Sequence, residues 1–313
     1  NYMAKLAQGT ADDLLSTIVL ASQAPVLLAP AMNQAMWQNL ATQRTRLQVQ
    51  QLHMQVIEPV SGLQACQDIG PGRMPEPKQL ILALENQFRA QALAGLCVLI
   101  TAGATQEPID PVRFLSNHSS GRMGYALARA AFMAGAQVNL VSGPSHLDWP
   151  NGVQGQRVQT AEQMLQACLT QQQCDIIIGC AAVADLRPTH NHDAKQSKQG
   201  LGQSLELTQN PDIIAKLTKH WPKAYSVGFA AQTHDLATLG TAKLHSKNLQ
   251  LICANEISTN NPAFNVNHNQ VSVLSAHTNT PLHLPSQSKT ALAWQLIHII
   301  AQGMTLLPTR LQS

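Results

Sequence analysis

The chain has 313 residues, 44% of them hydrophobic, and a net charge of +3. That length holds about two domains of roughly 150 residues each, and a charge this small and dispersed argues against nucleic acid or an anionic membrane surface as partner. Its six cysteines, at 66, 97, 168, 174, 180 and 253, form no Cys-x-x-Cys pair and no zinc-like spacing; with no membrane-length apolar run and no signal peptide, a cytoplasmic location is expected.

The chain enters at NYMAKLAQGTADDLLS without an initiator Met and reads as the middle of a domain. A short strand at Ala24 to Ala29 ends at PAMN, Gln34 to Leu52 reads as a helix, and Met54 to Glu58 as a returning strand. This βαβ piece is too little to cover both faces of a doubly wound sheet, so a longer parent protein is expected. Residues 1–77 are read as the C-terminal part of one domain and residues 78–95 as a connecting helix, over Lys78 to Ala94. Residues 96–313 form a second domain.

The second domain alternates strands and helices. Strands are expected at 97–101, 137–141, 176–179, 225–229 and 249–253, and helices at 123–134, 161–172, on NPDIIAKL and at 235–247. Residues 271–274 and 281–284 suit a hairpin, and Thr290 to Ile300 an amphipathic closing helix. Such alternation implies an α/β fold with a Rossmann-like parallel sheet. After Arg187 the pattern stops, and PTHNHDAKQSKQGLGQS is read as a mobile loop.

The loop after the first of these strands carries the strongest functional signal. Gly103 permits a tight turn, and Ser119, Ser120 and Gly121 stand just before a helix. Backbone N–H groups and the positive end of the helix dipole would face whatever the loop encloses, which suits an anion. Neither G-x-G-x-x-G nor G-x-x-x-x-G-K-[ST] is present, and from the pattern alone a surface loop before a well-capped helix is the competing reading.

TAGATQEPIDPVRFLSNHSSGRMG at 101–124, GCAAVADLR at 179–187, NPDII at 210–214, VGFAAQT at 227–233 and KNLQLICAN at 247–255 resemble, in order, the motifs of phosphopantothenate–cysteine ligases of coenzyme A biosynthesis. Upstream, PAMNQAMW at 30–37 and ACQDIGPGRMPEP at 65–77 resemble the end of the flavin-dependent phosphopantothenoylcysteine decarboxylase fused ahead of that ligase in many bacteria. The first domain is therefore expected to be the remnant of a flavodoxin-like or Rossmann-like flavoprotein.

The resemblance implies that the carboxylate of 4′-phosphopantothenate attacks the α-phosphate of CTP, giving an acyl-cytidylate and pyrophosphate, after which the amine of cysteine displaces CMP. It implies Mg²⁺ held mainly through CTP phosphates, small-molecule substrates only, and a homo-oligomer in which ligase halves dimerise and flavoprotein halves form trimers.

It also assigns residues. Lys195 would close over the triphosphate from within the loop; by itself it reads as a solvated lysine. Lys198 is a weaker candidate of the same kind, while Lys243 and Lys247 match nucleotide-contacting lysines and otherwise read as an exposed helix edge. The cytidine pocket would comprise Gly179, Cys180, Ala181, Asp185, Asn210, Pro211, Asp212, Ile213 and Phe229. Phe229 suits either a base or the core, and Asp212 either the pocket or a helix cap.

Gly103, Thr105, Ser119, Ser120 and Gly121 would form the phosphate loop, and Asn117, with His118 beside it, would handle the acyl-cytidylate; Asn117 also suits a plain turn. Asp110 and Arg113 either position the loop through an ion pair or face water. Two departures stand out in the ligase half: Ala104 where the family commonly has Gly, and Gln232 where it has Glu.

In the decarboxylase piece, Asn33 matches a substrate-holding residue, Cys66 the proton-donating cysteine, and Arg73 and Met74 a substrate clamp, with Gln67 in place of the usual Gly. The family's catalytic histidine and most of its flavin phosphate site fall ahead of Asn1, so FMN is expected in the parent protein and incompletely bound by this chain. Three readings stand: a ligase beside an inert remnant, a fragment of a working bifunctional enzyme, and a non-catalytic nucleotide-binding or oligomerisation module.

Overall fold

The computed structural model describes residues 2–64, 67–197, 204–232, 236–256 and 266–306, which divide into two compact units at Arg89/Ala90. The first unit opens with α1 (Tyr2–Gln8) and α2 (Leu14–Ala21), where Asp13 starts α2 by accepting from the Ser16 backbone N–H at 2.8 Å. β1 (Leu27–Leu28) and β2 (Gln55–Val56) pair in parallel across α3 (Gln34–Gln38) and α4 (Leu40–Gln51). The single helix expected over Gln34 to Leu52 is thus two. Asn39 takes an extended conformation, ψ 135°, and its side chain caps Ala41 instead of continuing the turn.

Leu6, Trp37, Val49 and Val56 form the core of this unit. β3 (Val60–Leu63) and β4 (Ile69–Arg73) add an antiparallel hairpin absent from the sequence expectation, because Gly62, Gly70, Pro71 and Gly72 leave no apolar alternation to detect. α5 (Pro77–Gln87) begins on a proline that suits a first helical position. The connector expected over 78–95 is this shorter helix, which groups with the first unit.

The second unit runs β5 (Cys97–Ala102), β6 (Gln106–Pro108), β7 (Phe114–Ser116), α6 (Arg122–Met133), β8 (Gln137–Ser142) and β9 (Gln154–Arg157). It continues through α7 (Ala161–Leu169), β10 (Ile176–Gly179), β11 (Leu186–Pro188), β12 (Leu207–Gln209), α8 (Ile213–His220) and β13 (Tyr225–Gln232). It closes with α9 (Leu236–Ser246), β14 (Leu251–Glu256), β15 (His268–Ser275), β16 (Thr278–Ser288) and α10 (Lys289–Leu306).

Eight strands form one sheet in the order β16-β15-β14-β13-β10-β5-β8-β9. It is parallel from β14 to β9, while β15 and β16 are antiparallel. Ile176, Ile177 and Ile178 of β10 are fully buried, as the continuous apolar run of a central parallel strand requires. Leu99 and Ile177 pack with Met164 and Leu165 of α7 and with Ile213 and Leu217 of α8, whereas α6 packs against α10.

Strand order decides where a ligand sits. From β5 the chain goes outward one way to β8 and β9, then returns to the other side of β5 with β10, β13 and β14. The connections leaving β5 and β10 therefore diverge and leave a crevice beyond their C-terminal ends, the usual ligand position in open α/β sheets.

The polar loop after β5 is not irregular throughout, since β6 and β7 fold back on one another as a small antiparallel ribbon. The segment after Arg187 is likewise bracketed by a ribbon, β11 with β12, and residues 198–203 lie outside the described residues. β9, whose four residues are all exposed, carries no apolar signal and was not expected.

Candidate active site

A cleft of about 600 Å³ opens at that crevice, between the C-terminal ends of β10 and β13 and the N-terminus of α6. Its two walls are stitched together by backbone. Ala182 N–H donates to the Gly103 carbonyl at 2.8 Å, Ala184 N–H to Thr105 Oγ1 at 3.0 Å, and Ala181 N–H to Thr101 Oγ1 at 3.3 Å. The segment 180–184 thus lies flat along 101–105, with Ala104 and Ala182 in a parallel bridge. Ala104 is not among the residues with positive φ, so the alanine is accommodated without left-handed strain. Gln232 ends β13, but its side chain lies outside the described residues.

Gly103 and Thr105, expected in the phosphate loop, are not among the residues that line the cleft. Gly103, φ +76°, makes the turn, and Thr105 is fully buried as the hydrogen-bonding joint between the walls.

On the α6 side the lining residues are Asn117, His118, Ser119, Ser120, Gly121, Arg122 and Met123. Gly121 caps α6 with φ +82°, and a β-carbon there would stand 3.3 Å from Gly103 Cα. A glycine is required both by that angle and by that approach. The N-terminus of α6 therefore lies at the cleft, and the start of a helix is a favourable place for an anion. Asn117 reaches across the gap, its amide donating to the Ala182 carbonyl at 3.1 Å.

On the sheet side Gly179, Cys180, Ala181 and Asp185 meet the turn Asn210, Pro211, Asp212 and Ile213, with Phe229, Lys243 and Lys247 completing the wall. Asn210 is committed to structure: its Nδ2 donates to Ala184 O at 2.8 Å and its Oδ1 accepts from Arg187 at 3.0 Å. Asp212 caps α8 through Ala215 N–H, 3.1 Å, and pairs with Lys247 Nζ at 2.9 Å. Asp212 thus caps α8 and also lines the cleft. Phe229 is half-buried on the cleft rather than in a core cluster.

Burial pushes the Cys180 thiol up to about 12, so it stays a neutral part of the wall at physiological pH and is no nucleophile. The Asp110–Arg113 ion pair forms, and the guanidinium holds the Asp110 carboxyl well below the usual carboxylate range.

Lys195 is exposed and outside the cleft, which departs from its expected place over the triphosphate; the backbone next to it is held by Asp110. Lys198 and Cys66 lie outside the described residues. Asn33 belongs to the first unit, where it caps α3 through Ala35 N–H and reaches Asp68 at 3.3 Å. There PAMN and GPGRM are joined by Met32 N–H to Gly72 O, 2.9 Å, while Arg73 pairs with Glu76 and Met74 is exposed.

Arg122, Asn255, Asn269 and Lys289 are among the lining residues that the sequence reading did not name. Asn255 and Asn269 hydrogen-bond to one another at 3.2 Å. Lys289 begins α10, more than 100 residues beyond Gly121, and a helix start in sequence gives no sign of what the fold brings beside it.

Among the described residues no cluster of three His, Cys, Asp or Glu side chains is placed to hold a metal ion. Among the described residues the carboxylates lining the cleft are Asp185 and Asp212, a donor set that suits an ion carried in largely by phosphate oxygens. No described helix is long and apolar enough to cross a membrane.

Residues 93–304 match the family model of the DNA/pantothenate metabolism flavoprotein C-terminal domain, and residues 1–89 match the Flavoprotein model. The coenzyme A biosynthesis bifunctional protein CoaBC of Vibrio parahaemolyticus is 42% identical over 308 residues, covering 97% of this chain and 77% of that protein. That of Bacillus subtilis is 41% identical over 306 residues, covering 96% and 75%. The crystal structure of the C-terminal domain of a coenzyme A biosynthesis bifunctional protein CoaBC aligns with a TM-score of 0.59 at 36% identity, over 69% of this chain and 99% of that one.

Proposed function

This chain belongs to the family of coenzyme A biosynthesis bifunctional proteins and carries its phosphopantothenate–cysteine ligase unit, and from that premise we propose that the cleft performs the ligation with CTP through an acyl-cytidylate. The observation that carries the proposal is the meeting of two walls at the switch point: a helix N-terminus fitted for phosphate, and a sheet edge with Phe229, Lys243 and Lys247 fitted for a nucleotide.

Attack of the pantothenate carboxylate on the α-phosphorus forms a P–O bond and breaks the bond to pyrophosphate. Attack of the cysteine amine on the resulting acyl carbon forms the amide, expels CMP and loses a proton to solvent. Asn117 suits the second step because its amide does not titrate and can donate to the developing oxyanion. Lys243 and Lys247 neutralise phosphate charge, with Asp212 fixing the second of them. Mg²⁺, bound with the triphosphate, would supply charge neutralisation beside Asp185 and Asp212. Lys195 acts from its loop once the triphosphate draws it in.

The first unit is read as the end of an FMN-dependent decarboxylase. Its described residues contain no glycine-rich strand-to-helix turn to cradle a flavin phosphate, so FMN does not fit this unit by itself and no step is routed through it. A ligase dimer is the expected assembly, readable by light scattering.

The test is pyrophosphate release with CTP, Mg²⁺ and 4′-phosphopantothenate, with and without cysteine, for this chain and Lys195→Ala. Release that needs CTP but not cysteine, and that falls on the order of 100-fold in the variant, supports the mechanism. Folded protein that binds CTP and releases nothing would sink it in favour of a binding module.

A further inference from the structure

Asn269 breaks an apolar row. It shares one face of β15 with Val271 and Val273, both buried, and is itself only 3% exposed although it lines the cleft. An apolar side chain would suit that position, whereas a buried amide has to have its polar atoms engaged. Cys253 of β14 pairs with Val273 on one side and with Phe229 on the other, so strand alternation puts Phe229, Asn255 and Asn269 on the same face of the sheet.

A relay of hydrogen bonds fixes the direction of both amides. The Gln270 backbone N–H, which can only donate, reaches Asn269 Oδ1 at 3.0 Å. With its oxygen committed, Asn269 meets its neighbour through Nδ2, which donates to Asn255 Oδ1 at 3.2 Å. Turning the Asn255 amide over would set two NH₂ groups against one another. Asn255 is half-buried near the end of β14 and lines the cleft, and among the described residues no acceptor takes its Nδ2. The cleft is thus offered an amide that presents donors alone, although asparagine carries a donor and an acceptor.

Resting on the ligase reading above, we propose that Asn269 is a positioning residue that acts through Asn255, holding the Asn255 Nδ2 toward the cleft as a hydrogen-bond donor to a phosphoryl oxygen of a substrate. A donor-only amide complements an acceptor-only group, and hydrogen bonds to an ionised acceptor are the stronger kind. An amide already fixed in direction also spares the ligand the cost of ordering it. Two substrates offer this chemistry, the triphosphate of CTP and the phosphate of 4′-phosphopantothenate.

Calorimetric titration of each ligand alone into the full chain separates them, with wild type, Asn255→Ala, Asn269→Val and the double variant. Valine continues the row of Val271 and Val273 and removes the donor to Asn255. Asn255→Ala should weaken one of the two ligands about 10-fold or more, and Asn269→Val should weaken the same ligand about threefold or more, because the Asn255 amide is then free to turn. In the Asn255→Ala background Asn269→Val should have no further effect; a merely structural role would add its loss again. The weakened ligand identifies the source of the phosphate. Unchanged binding of both ligands by Asn255→Ala, or a loss from Asn269→Val of the same size in both backgrounds, would overturn the proposal. So would a loss that persists with pantothenate or cytidine, which carry no phosphate, or a wild-type chain that binds neither ligand. If Asn269→Val unfolds, Asn269→Ala takes its place under the same criteria. Because binding is read directly, wild-type protein that binds CTP but releases no pyrophosphate sinks the ligase reading and leaves the Asn269 result standing.

Discussion

Asp110 and Gln196, 86 residues apart, are joined by a hydrogen bond from the Gln196 backbone N–H to Asp110 Oδ2 at 3.2 Å. The same carboxylate takes the Arg113 guanidinium, whose Nη2 donates onward to the Gln196 carbonyl at 2.9 Å. His192 N–H adds a bond to the Ile109 carbonyl at 3.1 Å. The loop that carries Lys195 is thereby moored to the β6–β7 ribbon one residue from the lysine itself. Asp110→Asn keeps the side-chain shape but loses the charge that holds Arg113. It should lower kcat for pyrophosphate release on the order of 10-fold, through misplacement of Lys195, while calorimetric CTP affinity stays within about twofold. Equal losses in kcat and in CTP affinity would show that Asp110 serves the nucleotide wall instead.

The same carboxylate predicts a pH dependence. Arg113 first, then the Val112, Arg113 and Gln196 N–H groups, lower its folded-state pKa. For a depressed acid the stabilisation is fully present above the unfolded value, about 3.9, and is lost as pH falls through the folded value. The melting temperature of wild type should therefore exceed that of Asp110→Asn by a constant margin at pH 5–7, and the margin should shrink below about pH 4. A margin that widens on acidification would contradict the ion pair.

Gly121→Ala places a β-carbon in the left-handed region, at a cost of about 1–2 kcal/mol. That β-carbon would also press on Gly103, 3.3 Å away, in the turn that carries the other wall. The expected result is a lower melting temperature together with a raised KM for the phosphate-bearing substrates, because the N–H groups at the start of α6 move. A fall in stability with unchanged KM would mean that α6 does not bind phosphate.

How far the sequence revealed this site depends on which interaction placed each residue. Local rules served for β10, whose apolar run is bounded by Gly179, for α6, announced by Ser-Ser-Gly, and for Asp212 before α8. The order of the motifs pointed to the cleft walls, and the fold brings Asn117, Asp185, Phe229, Lys243 and Lys247 to one cleft. Lys289 and Asn269 escaped because they arrive on elements whose own pattern concerns only hairpin and helix formation. The resemblance placed Thr105 in the phosphate loop by its position in the motif, which does not tell that the fold engages its hydroxyl with the Ala184 N–H. The β3–β4 hairpin was missed for the opposite reason, since it is held by backbone pairing and close glycine contacts rather than by a hydrophobic face.

Gln67 offers a test in the first unit. It stands where the resembling decarboxylases have glycine, and its φ is +67°, a left-handed angle that costs a side chain about 1–2 kcal/mol. Its N–H closes a turn onto the Gln64 carbonyl at 2.9 Å, and Gln64 Oε1 in turn accepts from the Gln34 backbone at 3.0 Å. Relaxing the strain should tighten that whole connection between β3 and β4. Gln67→Gly relieves the strain but enlarges the freedom of the unfolded chain, so a net gain of about 1 kcal/mol or somewhat less is expected. Hydrogen exchange at Val60–Leu63 and Ile69–Arg73 in the full chain should slow by up to about fivefold, a factor that corresponds to that free energy, with no change in the strands of the second unit. Faster exchange in the hairpin would mean that the glutamine side chain contributes more by its contacts than its backbone angle costs.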